Sequence, residues 1–219
     1  MSSTSNAGTS RHERVLVGAL RARAARGALT AEAVVLAQGR LQTPSAWPTG
    51  LPRRGNGGAG FPNAWRIARR SAALTYVEGY VIEADGTVSH HAWCADEEGR
   101  ALDPTWPDGR ARAYAGIGMA LGWVAAVQWR TCTRTRFPGV LDPAVQHSRD
   151  ADRVLTYGVP LEALLPLGRE LPEGAPHRPR EDREPREDRW PREDGEPGED
   201  RGPGEDRELG EAPAAHLVA

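Results

Sequence analysis

The chain of 219 residues contains no lysine: all 28 of its basic residues are arginine, set against 30 Asp and Glu. Arginine used to the exclusion of lysine marks a GC-rich coding bias. Basic surface is therefore a weak argument for nucleic acid, and no nucleic-acid partner is expected. Cysteine is scarce as well. Cys94 and Cys132 are too few for a disulfide framework in a chain of this size, and they suit a reducing compartment. A secretory signal needs a basic start followed by an apolar core of about 7 to 15 residues, whereas residues 1–10 read MSSTSNAGTS. Long apolar runs are also missing. The longest uncharged stretch, Ala113 to Trp129, sits at the lower limit of the roughly 17 to 25 residues of a membrane-spanning helix. Gly116, Gly118, Gly122 and Gln128 interrupt it, so it reads as buried core. The expectation is a cytoplasmic protein with no membrane partner.

The formal charge of −2 hides a division. Residues 169–219 carry 9 Arg against 16 acids, net −7, which leaves 19 Arg against 14 acids in residues 1–168, net +5. The acidic part is a repeat, with prolines at 179, 185, 191, 197 and 203 in units such as PREDRE and PGEDRE. Proline at every sixth position blocks continuous helix. Apart from Trp190, no unit offers a large apolar group to offset the entropy of ordering. Residues 169–219 are thus expected to be a disordered tail with a partner the sequence does not name, residues 1–10 a disordered start, and residues 11–168 a single domain.

Within that domain the period of the apolar residues changes along the chain. His12 to Arg26 spaces Val15, Leu16, Val17 and Leu20 for one helix side, with Gly27 as the stop. Thr30 can cap a second helix, Ala31 to Leu41. Gln42 to Gly60, rich in Pro and Gly, reads as a long loop. Pro62 fits the first turn of a third helix reaching Arg70. From Thr75 the period becomes 2: TYVEGYVIE (75–83), a turn at Asp85-Gly86, TVSHHAWCA (87–95), a second turn, then Arg100 to Asp103. Tyr114 to Ile117 and Arg153 to Tyr157 read as further strands, and a short helix follows Pro160. The class predicted is α+β, with N-terminal helices ahead of a helix packed on an antiparallel sheet.

The runs GFPNAWRIA, LTYVEGY, HHAW, LDPTW and YAGIG, in that order from Ala59 to Gly118, resemble a family of small bacterial proteins related to the papain-like and transglutaminase-like cysteine enzymes. In that family a Cys opens the helix, a His begins HAW and an Asp begins DPT. The resemblance implies that His91 is the catalytic histidine and Asp103 the carboxylate that orients it. The family's Cys-Phe-x-Asn-Ala corresponds here to Gly60-Phe61-Pro62-Asn63-Ala64, so the nucleophile position is vacant at Gly60. A glycine supports neither a thiolate nor an acyl-enzyme. Cys94 cannot substitute, because alternation along a strand turns it away from the face shared by residues 91 and 93. Cys132 lies outside the matched run.

Other groups carry less. His90, His91, Cys94 and Asp96 look like a zinc set, but His90 and Cys94 would stand about 13 Å apart along a strand, too far for one tetrahedral ion, so no metal and no cofactor is expected. RRGNGGAG lacks the Gly-Lys-Ser/Thr of a phosphate loop. Trp93 reads as core and Trp106 as a candidate cleft wall. Asn63 is either a cleft residue or a brace for the helix cap and loop. The function these residues suggest is a catalytically impaired Cys-His-Asp domain that binds a peptide or amide-bearing ligand or regulates. The alternatives are an active cysteine hydrolase or acyltransferase, with Cys at 60 or with Cys132 serving, and an interaction scaffold.

Overall fold

The computed structural model describes residues 8–27, 29–131, 139–141 and 154–172. The acidic repeat, Cys132 and most of the N-terminal start lie outside those residues. Ser10, expected in a disordered start, is instead the cap of the first helix, α1 (Arg11–Ala24). Its hydroxyl accepts from the Glu13 amide while the Glu13 carboxylate accepts from the Ser10 amide, a reciprocal pair that satisfies two end donors. Leu16, Val17 and Leu20 are buried from α1, while Val15, expected on the same side, is half exposed. Helix α2 (Ala31–Gln38) starts at the Thr30 cap as expected but stops at Gly39.

The residues after Gly39 correct the sequence reading. Arg40–Pro44, split between a helix end and a loop in that reading, form strand β1. Helix α3 (Gly60–Ala68) follows the loop, then β2 (Thr75–Glu83), β3 (Val88–Ala95), β4 (Arg100–Leu102) and β5 (Ala111–Met119). The strand read at Tyr114 to Ile117 is thus nine residues long. The apolar stretch that begins at Ala113 divides between β5 and helix α4 (Leu121–Thr131). Trp129, counted there as core, is 89% exposed. Residues 154–157, read as strand, are a helical turn. Pro160 precedes a single 3-10 turn (Leu161–Ala163), and two-residue strands β6 (Leu164–Leu165) and β7 (Arg169–Glu170) follow, the latter beyond the boundary expected at 168.

The sheet is mixed rather than wholly antiparallel. Its order is β6-β5-β2-β3-β4-β1-β7, with β1 also pairing with β5. β1 runs parallel to β4 and antiparallel to β5, so the ladder β1-β4-β3-β2-β5 returns to its start and closes as a small barrel. Register then sorts the side chains. Val77, Val81, Trp93, Ala95, Ala101 and Tyr114 form one apolar cluster, joined by Trp106 and Ala111. Tyr76, Tyr80, Ala92, Cys94, Leu102, Ala115 and Ile117 share a larger cluster with the helices. The helix-free face is the barrel interior.

Two glycines make that interior fit. Gly79 and Gly116 stand opposite one another. A Cβ on Gly79 would overlap the backbone of Ala115 and Gly116, and one on Gly116 would meet the Trp93 ring at 2.6 Å. Glycine at both allows close strand approach and leaves the volume to a fully buried indole. Among the described residues no helix is long and apolar enough to cross a membrane.

Candidate functional site

Helix α3 carries the site's first element. Its residues are free of β-branching except Ile67, and it buries Gly60, Asn63, Ala64, Ile67 and Ala68 while Arg66 faces out. No side chain caps its start, so the first amides keep the partial positive charge of a helix N-terminus. Ala64 and Ile67 press on the outer face of the sheet, and the first residue, Gly60, comes to rest beside β3. A Cβ built on Gly60 would lie 2.7 Å from both Nδ1 and Cε1 of His91.

His91 is the second element. It is 4% exposed and lies on the Trp93 side of β3, as the alternation predicted. Its Nε2 is 2.9 Å from Asp103 Oδ2. The Trp106 ring stacks on the imidazole with centroids 4.1 Å apart and planes 11° from parallel. The Arg110 guanidinium covers the indole's other face at 4.3 Å. Trp106 is therefore a nearly buried cover for His91.

Asp103 follows the last residue of β4 and accepts from four donors. Oδ1 takes the Thr105 and Trp106 amides at 2.8 and 2.9 Å, and Oδ2 takes His91 Nε2 and, at 3.1 Å, the Tyr114 hydroxyl. Burial alone would raise the carboxyl's pKa, but the hydrogen bond and charge of His91 and the two amides outweigh it and hold the group below the usual carboxylate range. An ionised Asp103 fixes the His91 tautomer. In the neutral ring the bond to Asp103 places the proton on Nε2 and leaves the Nδ1 lone pair on the edge that meets Gly60.

The surrounding loop is braced by hydrogen bonds. Asn63 Nδ2 donates to the Asn56 carbonyl at 2.9 Å and to Thr105 Oγ1 at 3.0 Å. Gly55 N donates to the Pro104 carbonyl at 2.8 Å and Arg54 Nε to the Asp103 carbonyl at 3.0 Å. Arg54 also pairs with Asp108. Residues 54–56 are thus tied to the turn that follows Asp103, with Asn63 bonded to both.

Cys94 faces outward, with Sγ 3.5 Å from the Ala64 carbonyl. Burial, with the charge of Asp103 adding to it, pushes its thiol up to about 12. His90 also faces outward, and no group of three or more metal-binding side chains comes together among the described residues. Sequence reasoning missed Tyr114, although it stands in YAGIG. Its partner Val81 lies directly opposite in register, and only barrel closure makes clear that this side of β5 faces Asp103.

Compared with protein-family models, curated proteins and solved structures, the chain gives no match.

Proposed function

We propose that this protein is a catalytically impaired relative of the Cys-His-Asp acyl-transfer and amide-hydrolysing enzymes, acting as a binding or regulatory domain for a peptide or amide-bearing ligand. The observation that carries the reading is the meeting of Gly60 and His91 Nδ1, with Asp103 on the far side of the ring. In a nucleophile, base and orienter set the base must face the nucleophile with one nitrogen and the orienter with the other. His91 has that orientation toward a residue with no side chain. A Nδ1 acceptor beside the amides of a helix start gives an amide group both an acceptor and donors, so binding remains available where nucleophilic attack is not.

Gly60→Cys tests this. At 2.7 Å the Cβ does not fit with the imidazole where it stands, so the ring or the start of α3 has to shift to admit it, after which the thiol lies against a base at a helix N-terminus. The expected outcome is alkylation by iodoacetamide well below the ordinary thiol pKa of about 8.5, lost when His91→Ala is added. An ordinary thiol profile in the single variant would sink the reading. A second reading, an active cysteine hydrolase or acyltransferase wherever Cys occupies position 60, is supported by the backbone there. Gly60 is helical and does not need the positive φ seen at Gly58 or Gly86.

A further inference from the structure

The LTYVEGY run contains a carboxylate that the site does not use. Glu78 lies in the middle of β2, is fully buried, and points to the outer face with Tyr76 and Tyr80. It accepts from two successive backbone amides, Val140 at 2.7 Å and Leu141 at 2.5 Å, and from the Tyr76 hydroxyl at 3.0 Å. Burial, then the charge of Glu78, keeps that hydroxyl protonated far above its ordinary range, so it stays a donor. His90 Nε2 stands 3.2 Å from Glu78 Oε1 without a hydrogen bond to it. A buried carboxylate with these partners is costly to leave in place unless all of them are kept.

The partners lead to the candidate site from its back. The His90 ring lies between Tyr80, 5.2 Å away, and Phe61, 5.1 Å away. Phe61 is the residue after Gly60. Gly139 completes the contact, since a Cβ on it would overlap both the Glu78 carboxylate and the Phe61 ring. Its glycine is required by close approach alone, because it has no positive φ. Consecutive residues of β3 thus hold consecutive residues of α3 from opposite faces: His91 meets Gly60 inside, and His90 meets Phe61 outside.

We propose that Glu78 and Gly139 are positioning residues for this site: they clamp residues 139–141 and His90 against Phe61 and thereby set where residue 60 stands relative to His91 Nδ1. The proposal rests on the reading of that site given above. Two variants test it by different physics. Glu78→Gln keeps the side-chain shape but offers an amide nitrogen where backbone donors point, and Gly139→Ala removes no polar group while its methyl forces the segment off both the Glu78 carboxylate and Phe61. In the otherwise native protein, the backbone amide resonances of Gly60, Phe61, His90, Val140 and Leu141 are expected to move in both variants while those of the barrel interior superimpose. Unmoved Gly60 and Phe61 resonances in both variants, or changes spread over the whole barrel, would overturn the proposal. Added to Gly60→Cys, each variant is expected to slow alkylation below neutral pH by roughly tenfold, the change that one unit of thiol pKa brings. Equal rates with and without Glu78→Gln overturn the positioning role, whereas an ordinary thiol in Gly60→Cys alone overturns the site reading and leaves the resonance test standing.

Discussion

Replacing Asp103 by Asn probes the centre of the site with almost no change of shape. The two backbone bonds to Oδ1 survive if the amide oxygen takes that place, which puts an NH2 group where Oδ2 accepts from His91 and Tyr114. Two donors then face a donor. The Tyr114 hydroxyl can turn to accept, and His91 can do so only by moving its proton from Nε2 to Nδ1. Both bonds fall from the charge-assisted class, about 1.5–3 kcal/mol, to the neutral class, about 0.5–1.5 kcal/mol. A loss of about 1–1.5 kcal/mol per bond gives about 2–3 kcal/mol, reduced by the charge no longer buried. At 5% exposure solvent screening removes little of this. The sign with pH follows from the lowered pKa of Asp103. Its stabilisation is complete above the unfolded carboxyl value near 3.9 and is lost as pH falls through the folded value. Urea unfolding at pH 7 should therefore separate the native chain from Asp103→Asn by about 1–3 kcal/mol, and the gap should shrink in strong acid. Imidazole 15N shifts should report the change of tautomer. If the variant loses no stability at pH 7 and His91 keeps its proton on Nε2, Asp103 is not the group that orients the ring.

Two further outcomes follow from burial and close contact. Cys94, with its thiol pushed up to about 12 beneath α3, should resist iodoacetamide at pH 8 in the folded protein and react once urea unfolds it; mass spectrometry of the labelled peptide checks this. Gly116→Ala drives a methyl into Trp93 and the Glu78 carbonyl inside a filled barrel, and a loss of about 2 kcal/mol or more is expected in thermal unfolding, with Trp93 fluorescence altered.

The parts of the fold read correctly from sequence are those whose signals are local. Thr30 and the apolar spacing of α1 and α2 announce helices, and Asp85-Gly86 joins two period-2 runs that pair as β2 and β3. Alternation within β3 placed His91 with Trp93 and turned Cys94 away. β1 gave no such signal. RLQTP has neither a period nor strong strand propensity, and its partners β4 and β5 lie far along the chain. Without β1 the sheet cannot close, so Tyr114 could not be assigned to Asp103. Glu78 was hidden for a related reason: β2 is buried on both faces, inside by the barrel and outside by helices and residues 139–141, so its run shows no polar face that would mark a buried carboxylate as unusual. Ala113 to Trp129 misled because an inward strand and a partly exposed helix are equally free of charge.

Strand β4 has three residues, and its ladders to β1 and to β3 each rest on two register pairs. So short a strand has no persistence of its own. Asp103, the next residue, takes its place from both ladders: the one to β3 is local, across the turn at 96–99, and the one to β1 brings Thr43 and Pro44 to Arg100 and Ala101, a contact across more than fifty residues with a larger closure entropy. The β2–β3 hairpin that carries His91 needs only its own turn. The dyad therefore joins a residue on a hairpin ladder of eight register pairs to one that follows a strand anchored by two register pairs on each side, and the shorter anchorage lies on the carboxylate.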